Sequence, residues 1–559
     1  MAGFESIIAP ECDVGIFADD IVLWCSGPDV KNIESTLNAT LTDVWKFANN
    51  HKLNFNVTKS YVGLFTTNKH LYSYHPQVLF QDQPLSYVKH PKYLGFVLDQ
   101  EITSNGHISN LVIKSRKRLN ILKYISGRDW GADAKTLRST YIALIRPILE
   151  YGFPVYFCAS TSNLLQLERV QLSAARIITG LRNSCPNDIV LYEANLPPLG
   201  LVRNSKLVKY FNKLKSYENQ NRTSEYLSSW SSNQRLKRNS PLGMADKLDI
   251  ISHSVEYSSL TPCVSPTEGL LGVYFHSELP SQTNKNSDVP EYLRQLALEV
   301  INSIPSYATL IYTDGSKDES NHTGSGIYIE NPSVRLSRRN PDHCSVFKSE
   351  LIAIKEGLNQ ILHSTDCSDI WILTDSRSSI QHLQDWNQVN DLVSIQIINM
   401  LKTISKRRDV HLQWIPSHVN IPGNETADAL AKRGCSEMAT TDYDLTFEEI
   451  FSAAKNRDRH VWLAPPAHSW YSRPKPGGAL RFKADRQDQT AISRLFSGHL
   501  KCMSFESGRK VFPTCPKCHL LPASPQHLLD CLGLTLEDVR DNPLLVLDFA
   551  RVHGIMDLM

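Results

Sequence analysis

Between Leu310 and Lys432 the apolar pattern changes period in an order that leaves few folds open. ATLIYTDGS, GSGIYIE and VRLSRR read as three consecutive short strands, followed by KSELIAIKEGLNQIL with Leu351, Ile354, Leu358 and Ile361 on one helical face. A strand, DIWILTDS, comes next, then helical stretches around Ser378 to Trp386 and Asp391 to Ile404, the strand VHLQWIP and a last helix. Asn424 is the expected N-cap of that helix, just ahead of ETADALAK. Successive strands followed by strand–helix alternation predict an α/β domain with a mixed five-stranded sheet and flanking helices.

Acidic residues recur at corresponding places in this pattern. Asp314 sits at the C-terminal end of the first strand and Asp375 at that of the fourth; Glu350 lies in the first helix and Asp428 begins the last. If the two strands are neighbours, their ends set Asp314 and Asp375 side by side at one rim, where ligands commonly bind, and Glu350 can point down onto them. Crowded carboxylates raise one another's pKa unless hard cations neutralise them, and oxygen-only ligation points to magnesium or manganese. Two such ions about 4 Å apart activate a water and stabilise the leaving oxygen of a phosphodiester. Each acidic residue alone would be an ordinary turn or helix-start charge; all of them occurring in this order is what points to a metal site.

Through YTDGS, KSELIAI, LTDSRSSI and WIPSHVNIPGNETADALAK, this segment resembles the ribonuclease H family. The resemblance implies that Asp314, Glu350, Asp375 and Asp428 hold two Mg2+ or Mn2+ ions, and that His418, on the loop before the last helix, assists proton transfer or product release. It implies an RNA–DNA hybrid as substrate, with the RNA strand cut to leave a 3′-hydroxyl and a 5′-phosphate. Gly315, Ser316, Ser376 and Asn424 match positions that in the family approach the hybrid backbone or flank the metals. Asn420 departs from the pattern, since related loops often carry Gly there, and a stiffer loop is expected.

At 559 residues the chain exceeds one ordinary core, and the resemblance and pattern changes divide it into five segments. Residues 1–105 contain GIFADDIVLWC, a hairpin with Asp19 and Asp20 at its turn, and Lys59 in LNFNVTKSYVGLF. Residues 106–218 take up helical periodicity, with 18 Lys and Arg against 7 Asp and Glu between His107 and Arg222 and the densest cluster at Lys114, Arg116, Lys117 and Arg118. Such a run is either a solvated helical face or a phosphate-tracking surface. Together these segments resemble the partial palm and helical thumb of a reverse transcriptase from a non-LTR retrotransposon of the jockey and X-element type. In that family Asp19 and Asp20 belong to the polymerase metal site and Lys59 to a later palm motif. With only 18 residues ahead of Asp19, the palm is expected to be truncated and its polymerase site vestigial.

Residues 219–306, rich in Ser, Asn, Gln and Pro, read as a connecting region; 307–437 form the ribonuclease H domain and 438–559 a C-terminal region. There Cys515, Cys518, His527 and Cys531 give C-x2-C-x8-H-x3-C, a spacing for one structural zinc, with His519 a competing ligand. Arg494, His499 and Lys501 are candidates to touch nucleic acid.

The N-terminus has no basic start and long apolar run of a secretory signal, no stretch is long and apolar enough for a membrane span, and most of the 12 cysteines are scattered. Those features point to an intracellular protein, nuclear or cytoplasmic, with no membrane partner. The leading expectation is a hybrid-specific endoribonuclease within a retrotransposon polyprotein. The alternative is a catalytically inactive remnant that still binds nucleic acid through the thumb-like segment and tail, and a sequence-specific DNA regulator lacks a recognition-helix signature.

Overall fold

The structure, a computed structural model, describes residues 3–127, 131–217, 221, 223–227, 240–248, 255–259, 262–281, 288–364, 367–438, 443–471 and 473–559. Of the expected connecting region, 219–220, 222, 228–239, 249–254, 260–261 and 282–287 lie outside the described residues. The chain forms two compact units, Met1–Leu199 with Trp462–Met559, and Gly200–Val461. The second is continuous and its sequence interrupts the first.

The first unit opens with a hairpin of β1 (Cys12–Phe17) and β2 (Asp20–Cys25), in which Phe17 pairs with Asp20 across a two-residue loop. Helix α1 (Val30–Asn50) packs Val44, Phe47 and Ala48 toward it. The strand-like YVGLF and YLGFVL form only two-residue strands, Tyr61–Val62 and Phe96–Val97. Helices α2 (Asn105–Ile125), α3 (Ala134–Leu144) and α4 (Thr161–Thr179) then build a bundle on Leu111, Leu119, Leu137, Tyr141, Leu167 and Ile178.

The second unit is built on a six-stranded mixed sheet. A strand from the expected connecting region, β3 (Val273–His276), is followed by α5 (Pro290–Ser303), β4 (Thr309–Lys317), β5 (Thr323–Ile329), β6 (Val334–Arg339) and α6 (Val346–Ile361). Next come β7 (Ile370–Thr374), α7 (Arg377–Gln384), α8 (Leu392–Ile404), β8 (Val410–Trp414), α9 (Pro422–Gly434) and α10 (Phe447–Leu463). The strand order is β6-β5-β4-β7-β8-β3, antiparallel across β6, β5 and β4 and parallel from β4 to β3.

The sheet therefore has one strand more than the five expected. β3 escapes a reading by period because it is only four residues long and has an exposed Tyr274, leaving no alternation to read. It is held by pairing with β8 and by a column of rings crossing the strands, Trp371 on His411 at 4.2 Å and His411 on Tyr274 at 4.7 Å. His276 Nε2 and His411 Nδ1 share a hydrogen bond at 3.1 Å.

Alternation along each strand serves two cores. Ile311, Ile327, Ile372 and Leu412 meet Leu351, Ile354, Ile397 and Leu401 of α6 and α8, whereas Tyr312 and Leu373 pack with Leu293 and Ala297 of α5 and Ala427 of α9. Helix α9 lies directly on β5 because Gly326 has no side chain: a Cβ there would stand 2.0 Å from the Ala427 carbonyl oxygen. The helix starts at Pro422 after Ile421, which makes no side-chain cap, so Asn424 is a buried first-turn residue and not the expected N-cap. Proline at the first helical position lacks only an N–H that would have no partner anyway.

In the rest of the first unit, α11 (Arg486–Ser497), a short hairpin (Ser504–Glu506 with Arg509–Val511), α12 (Pro525–Leu532) and α13 (Pro543–Val552) enclose a core of Ile492, Leu495, Phe496, Leu528, Leu529, Val546 and Leu547. This tail docks on the helical bundle through arginines placed at carbonyls of the α4 C-terminus and the residue after it. Arg486 donates to Ile177 and Ile178, and Arg494 donates to Gly180 at 3.1 Å. Cations and donors are favoured there because the last carbonyls of a helix lack intrahelical partners. The expected tail 438–559 is thus shared between the two units, and 219–306 contributes a strand and a helix to the second.

Gly326→Ala is expected to destabilise the second unit by about 1–3 kcal/mol, since the helix must lift off the sheet. An unchanged denaturant midpoint for that unit would show that the close approach of α9 is not structurally required.

Candidate functional site

Thr313 of β4 and Thr374, the last residue of β7, are in register on adjacent parallel strands, so the next residues, Asp314 and Asp375, emerge together; β4 runs on to Lys317 beside β5, so Asp314 lies within its strand and not at the strand end expected from the sequence. The first turn of α6 supplies Glu350. This turn comes close to β4 at Gly315, where a Cβ would stand 2.6 Å from the Glu350 nitrogen, and the Gly315 amide donates to the Glu350 carboxylate. Oxygens of Asp314, Glu350 and Asp375 lie within 4.8 Å of one another. Asp428 of α9 is near enough to act on Asp314 electrostatically, but its oxygens group with Glu425 and His418, and Lys432 holds it at 2.6 Å.

Burial, then the charges of Asp375 and Asp428, push the Asp314 carboxyl up to about 8. Burial, then the charges of Asp314 and Asp375, raise Glu350 well above the carboxylate range. Glu350 Oε2 is buried without a hydrogen-bond partner. An all-oxygen donor set carrying like charges and an orphaned buried oxygen fits hard divalent cations. The three clustered carboxylates, with Asp428 beside them, are the residues positioned to hold such ions.

The remaining expected residues fall into distinct surroundings. Gly315 serves the helix approach just described. Ser316 is half-buried and its carbonyl accepts from Cys435 Sγ; Ser376 precedes α7 and its hydroxyl meets Ser379 Oγ at 2.8 Å. Asn424 is buried with its Oδ1 unpartnered, and His418 is exposed with φ +57°. Asn420, where the family pattern expects Gly, also has positive φ, +58°. Asn is among the residues that best tolerate that conformation, so the departure preserves the turn.

The sequence reading did not single out Lys432, although its i+4 spacing from Asp428 was a readable signal. It also missed a cleft of about 1150 Å³ beside the first turn of α6, lined by Lys317, His343, Phe347, His382, Arg457 and His460 among others.

In the first unit, Cys515, Cys518, His527 and Cys531 place their ligand atoms within 4.8 Å of one another. Cys518 Sγ is 3.3 Å from His527 Nε2, and His519 lies outside the group. The backbone amides of Leu520 and Leu521 hold the Cys518 thiol down to about 6, favouring the thiolate that zinc takes. Arg494 and His499 are corrected by the structure: Arg494 caps carbonyls of Gly180 and Met559, and His499 is 2% exposed, so neither faces outward to nucleic acid. Lys501 stays half-exposed near Asp557. Lys114, Arg116, Lys117 and Arg118 are exposed on α2, among exposed Ile113, Ile121 and Tyr124. Asp19 and Asp20 are exposed at the hairpin and, among the described residues, join no group of metal-ligating side chains; Lys59 ends a 3-10 turn capped by Asn56.

The family model for RNase H matches residues 306–436, which hold five of the six strands and the carboxylate cluster on β4, α6 and the end of β7. A Tropheryma whipplei ribonuclease H is 28% identical over 103 residues, 16% of this chain and 63% of that one. A probable RNA-directed DNA polymerase from transposon BS of Drosophila melanogaster is 26% identical over 170 residues, and that from mobile element jockey of the same species 22% over 206. These alignments cover 30% and 37% of this chain but only 18% and 22% of the polymerases. The chain is similar to retrotransposon RNA-directed DNA polymerases over about a fifth of their length, and its residues 306–436 match the ribonuclease H family.

Asp314→Asn is expected to stabilise the magnesium-free second unit near neutral pH by roughly 1–3 kcal/mol, a pKa unit being about 1.4 kcal/mol. Because the folded state raises this acid, the stability gained from its protonated form is fully present below the unfolded value of 3.8 and is lost as pH rises toward about 8. Denaturant unfolding without divalent ions should therefore show a flatter pH profile for the variant; identical profiles would argue against the crowding.

Proposed function

We propose that the chain hydrolyses the RNA strand of RNA–DNA hybrids by a two-metal mechanism. The observation that carries this reading is the carboxylate cluster where β4, β7 and α6 meet, with its unpartnered Glu350 oxygen. Asp314, Glu350, Asp375 and Asp428 would hold two Mg2+ or Mn2+ ions, which when bound supply an activated water and neutralise charge at the leaving oxygen. Strand pairing and the Gly315 approach fix three of these side chains before substrate arrives, which spares reorganisation during reaction. His418, exposed beside Asp428 and Glu425, is placed to accept or release a proton at the mouth of the site. Ser316, Ser376 and Asn424 are placed to flank the bound metals or approach the hybrid backbone.

The rest of the chain follows the same reading. Residues 1–105 act as a palm-like fragment whose Asp19, Asp20 and Lys59 are vestigial, 106–218 as a thumb gripping a duplex by its phosphates, and 219–306 as a connection. The ribonuclease H domain is 307–437, and 438–559 is a region with one structural zinc on Cys515, Cys518, His527 and Cys531. Nucleic acid is the partner throughout.

The test is cleavage of a labelled hybrid by the full chain in Mg2+ or Mn2+, with double-stranded RNA as control. Asp314→Asn and Asp375→Asn should each lower the rate by on the order of a hundredfold or more. No cutting by the folded wild type in either metal would leave a nucleic-acid-binding remnant as the better account. For the tail, the purified chain should contain one zinc per molecule, absent in Cys531→Ser; a metal-free wild type with an unaltered fold would reject that site.

A further inference from the structure

On the far side of the α6 first turn from the carboxylates lies a second charged group. Lys348 is 4% exposed, and its ammonium donates to Glu256 and, at 2.6 Å, to the Asp444 carbonyl, with Glu449 3.6 Å away. Glu256 and Glu449 are 3% and 5% exposed, and both lie outside the residues matched by the family model. Each carboxylate also accepts from the start of a helix. Glu256 accepts from the Leu392 amide of α8 at 2.6 Å, and Glu449 accepts from the Ser345 amide, just before α6, at 2.6 Å and from the Thr446 amide, just before α10, at 3.0 Å. Three helix N-termini thus converge on two buried carboxylates and one ammonium. Their partial positive charge offsets the surplus negative charge of the group.

Residues two apart on a helix point to nearly opposite sides, so Lys348 and Glu350 are the two arms of one turn. On the sheet side this turn is fastened by Ser325 Oγ donating to the Ser349 carbonyl at 2.6 Å and by the approach at Gly315. On the other side the fastening is Lys348, and it reaches segments 255–258 and 443–449, which run together at a parallel bridge between Val255 and Leu445. A shift of this turn carries Glu350 away from Asp314 and Asp375.

We propose that Lys348 is a positioning residue for the metal site, and that through Glu256 and Glu449 the segments flanking the ribonuclease H domain set its affinity for divalent cations. Loss of the ammonium leaves two buried carboxylates facing each other uncompensated, and the turn moves to relieve them. Arginine, with the same charge and more donors, preserves the fastening. The inference rests on the reading of Asp314, Glu350 and Asp375 as metal ligands.

The test is Mn2+ binding to the full chain, followed by calorimetry and by the loss of free-ion paramagnetic resonance signal, with Glu350→Gln defining the share due to this site. Lys348→Met should weaken that share by about tenfold, in the range seen when groups supporting metal ligands are removed, and Lys348→Arg should restore most of it. In hybrid cleavage the same variant should shift the metal dependence to higher concentration, with a smaller change at saturating metal. Wild-type Mn2+ affinity in a folded Lys348→Met chain overturns the proposal alone. Binding that Glu350→Gln does not alter overturns the metal-site reading and the proposal with it. If Lys348→Met does not fold, Glu449→Gln, which keeps Glu256 opposite the lysine, should show a smaller weakening, and unchanged binding there overturns the proposal.

Discussion

Residues 313–314 within β4 and 374–375 at the end of β7 stand side by side because the two strands are parallel and in register, and the second unit is arranged around the electrostatic cost of that neighbourhood. Crowded carboxylates in a buried place resist ionisation and push one another apart. They stay together because each is attached to an element that cannot yield. Asp314 is on a strand hydrogen-bonded on both sides, and Glu350 is on a helix pressed against that strand at Gly315. Asp428 is on a helix seated over Gly326. The cores on the two faces of the sheet supply the rigidity, and the site converts it into charge density available to a cation.

The fastening of α6 extends this arrangement beyond the family's matched residues. Tyr443 accepts from Lys355 and donates to Glu356, which also pairs with Arg338 of β6, so the segment after residue 442 is bonded to the same helix at a second level. The ribonuclease H domain here is therefore wrapped by chain on both of its sequence flanks. Its outer residues are not spacers but neighbours of the helix that carries Glu350.

Much of this was legible in the sequence, and what was not has physical reasons. The strand and helix order and the acidic positions could be read because burial imposes a period on Ile311, Leu351 or Ile372, and because Asp314, Glu350, Asp375 and Asp428 fall at element ends or on element faces. β3 left no period to read, being short and carrying aromatic and imidazole rings whose packing partners lie more than ninety residues away on β7 and β8. Lys348, Glu256 and Glu449 look solvated in sequence, since a buried ion pair between distant segments has no local signature. Arg494 misled in the same way: it resembles part of a surface for phosphates, yet it donates to the Gly180 carbonyl after the α4 C-terminus. Asn424 lost the capping position to Pro422, whose ring already sets the backbone angle that starts a helix.

The first unit is discontinuous, made from Met1–Leu199 and Trp462–Met559, with the whole second unit encoded between them. During synthesis a ribosome adding about 5–20 residues per second spends tens of seconds on the intervening stretch. For that interval the helical bundle exists without the arginines that satisfy Ile177, Ile178 and Gly180, while the sheet-bearing unit can already close on itself. The cysteine–histidine cluster emerges later still, after the sheet unit is complete. Biogenesis thus has a built-in order, in which the sheet unit can mature first and the bundle waits, in need of protection, for its second segment.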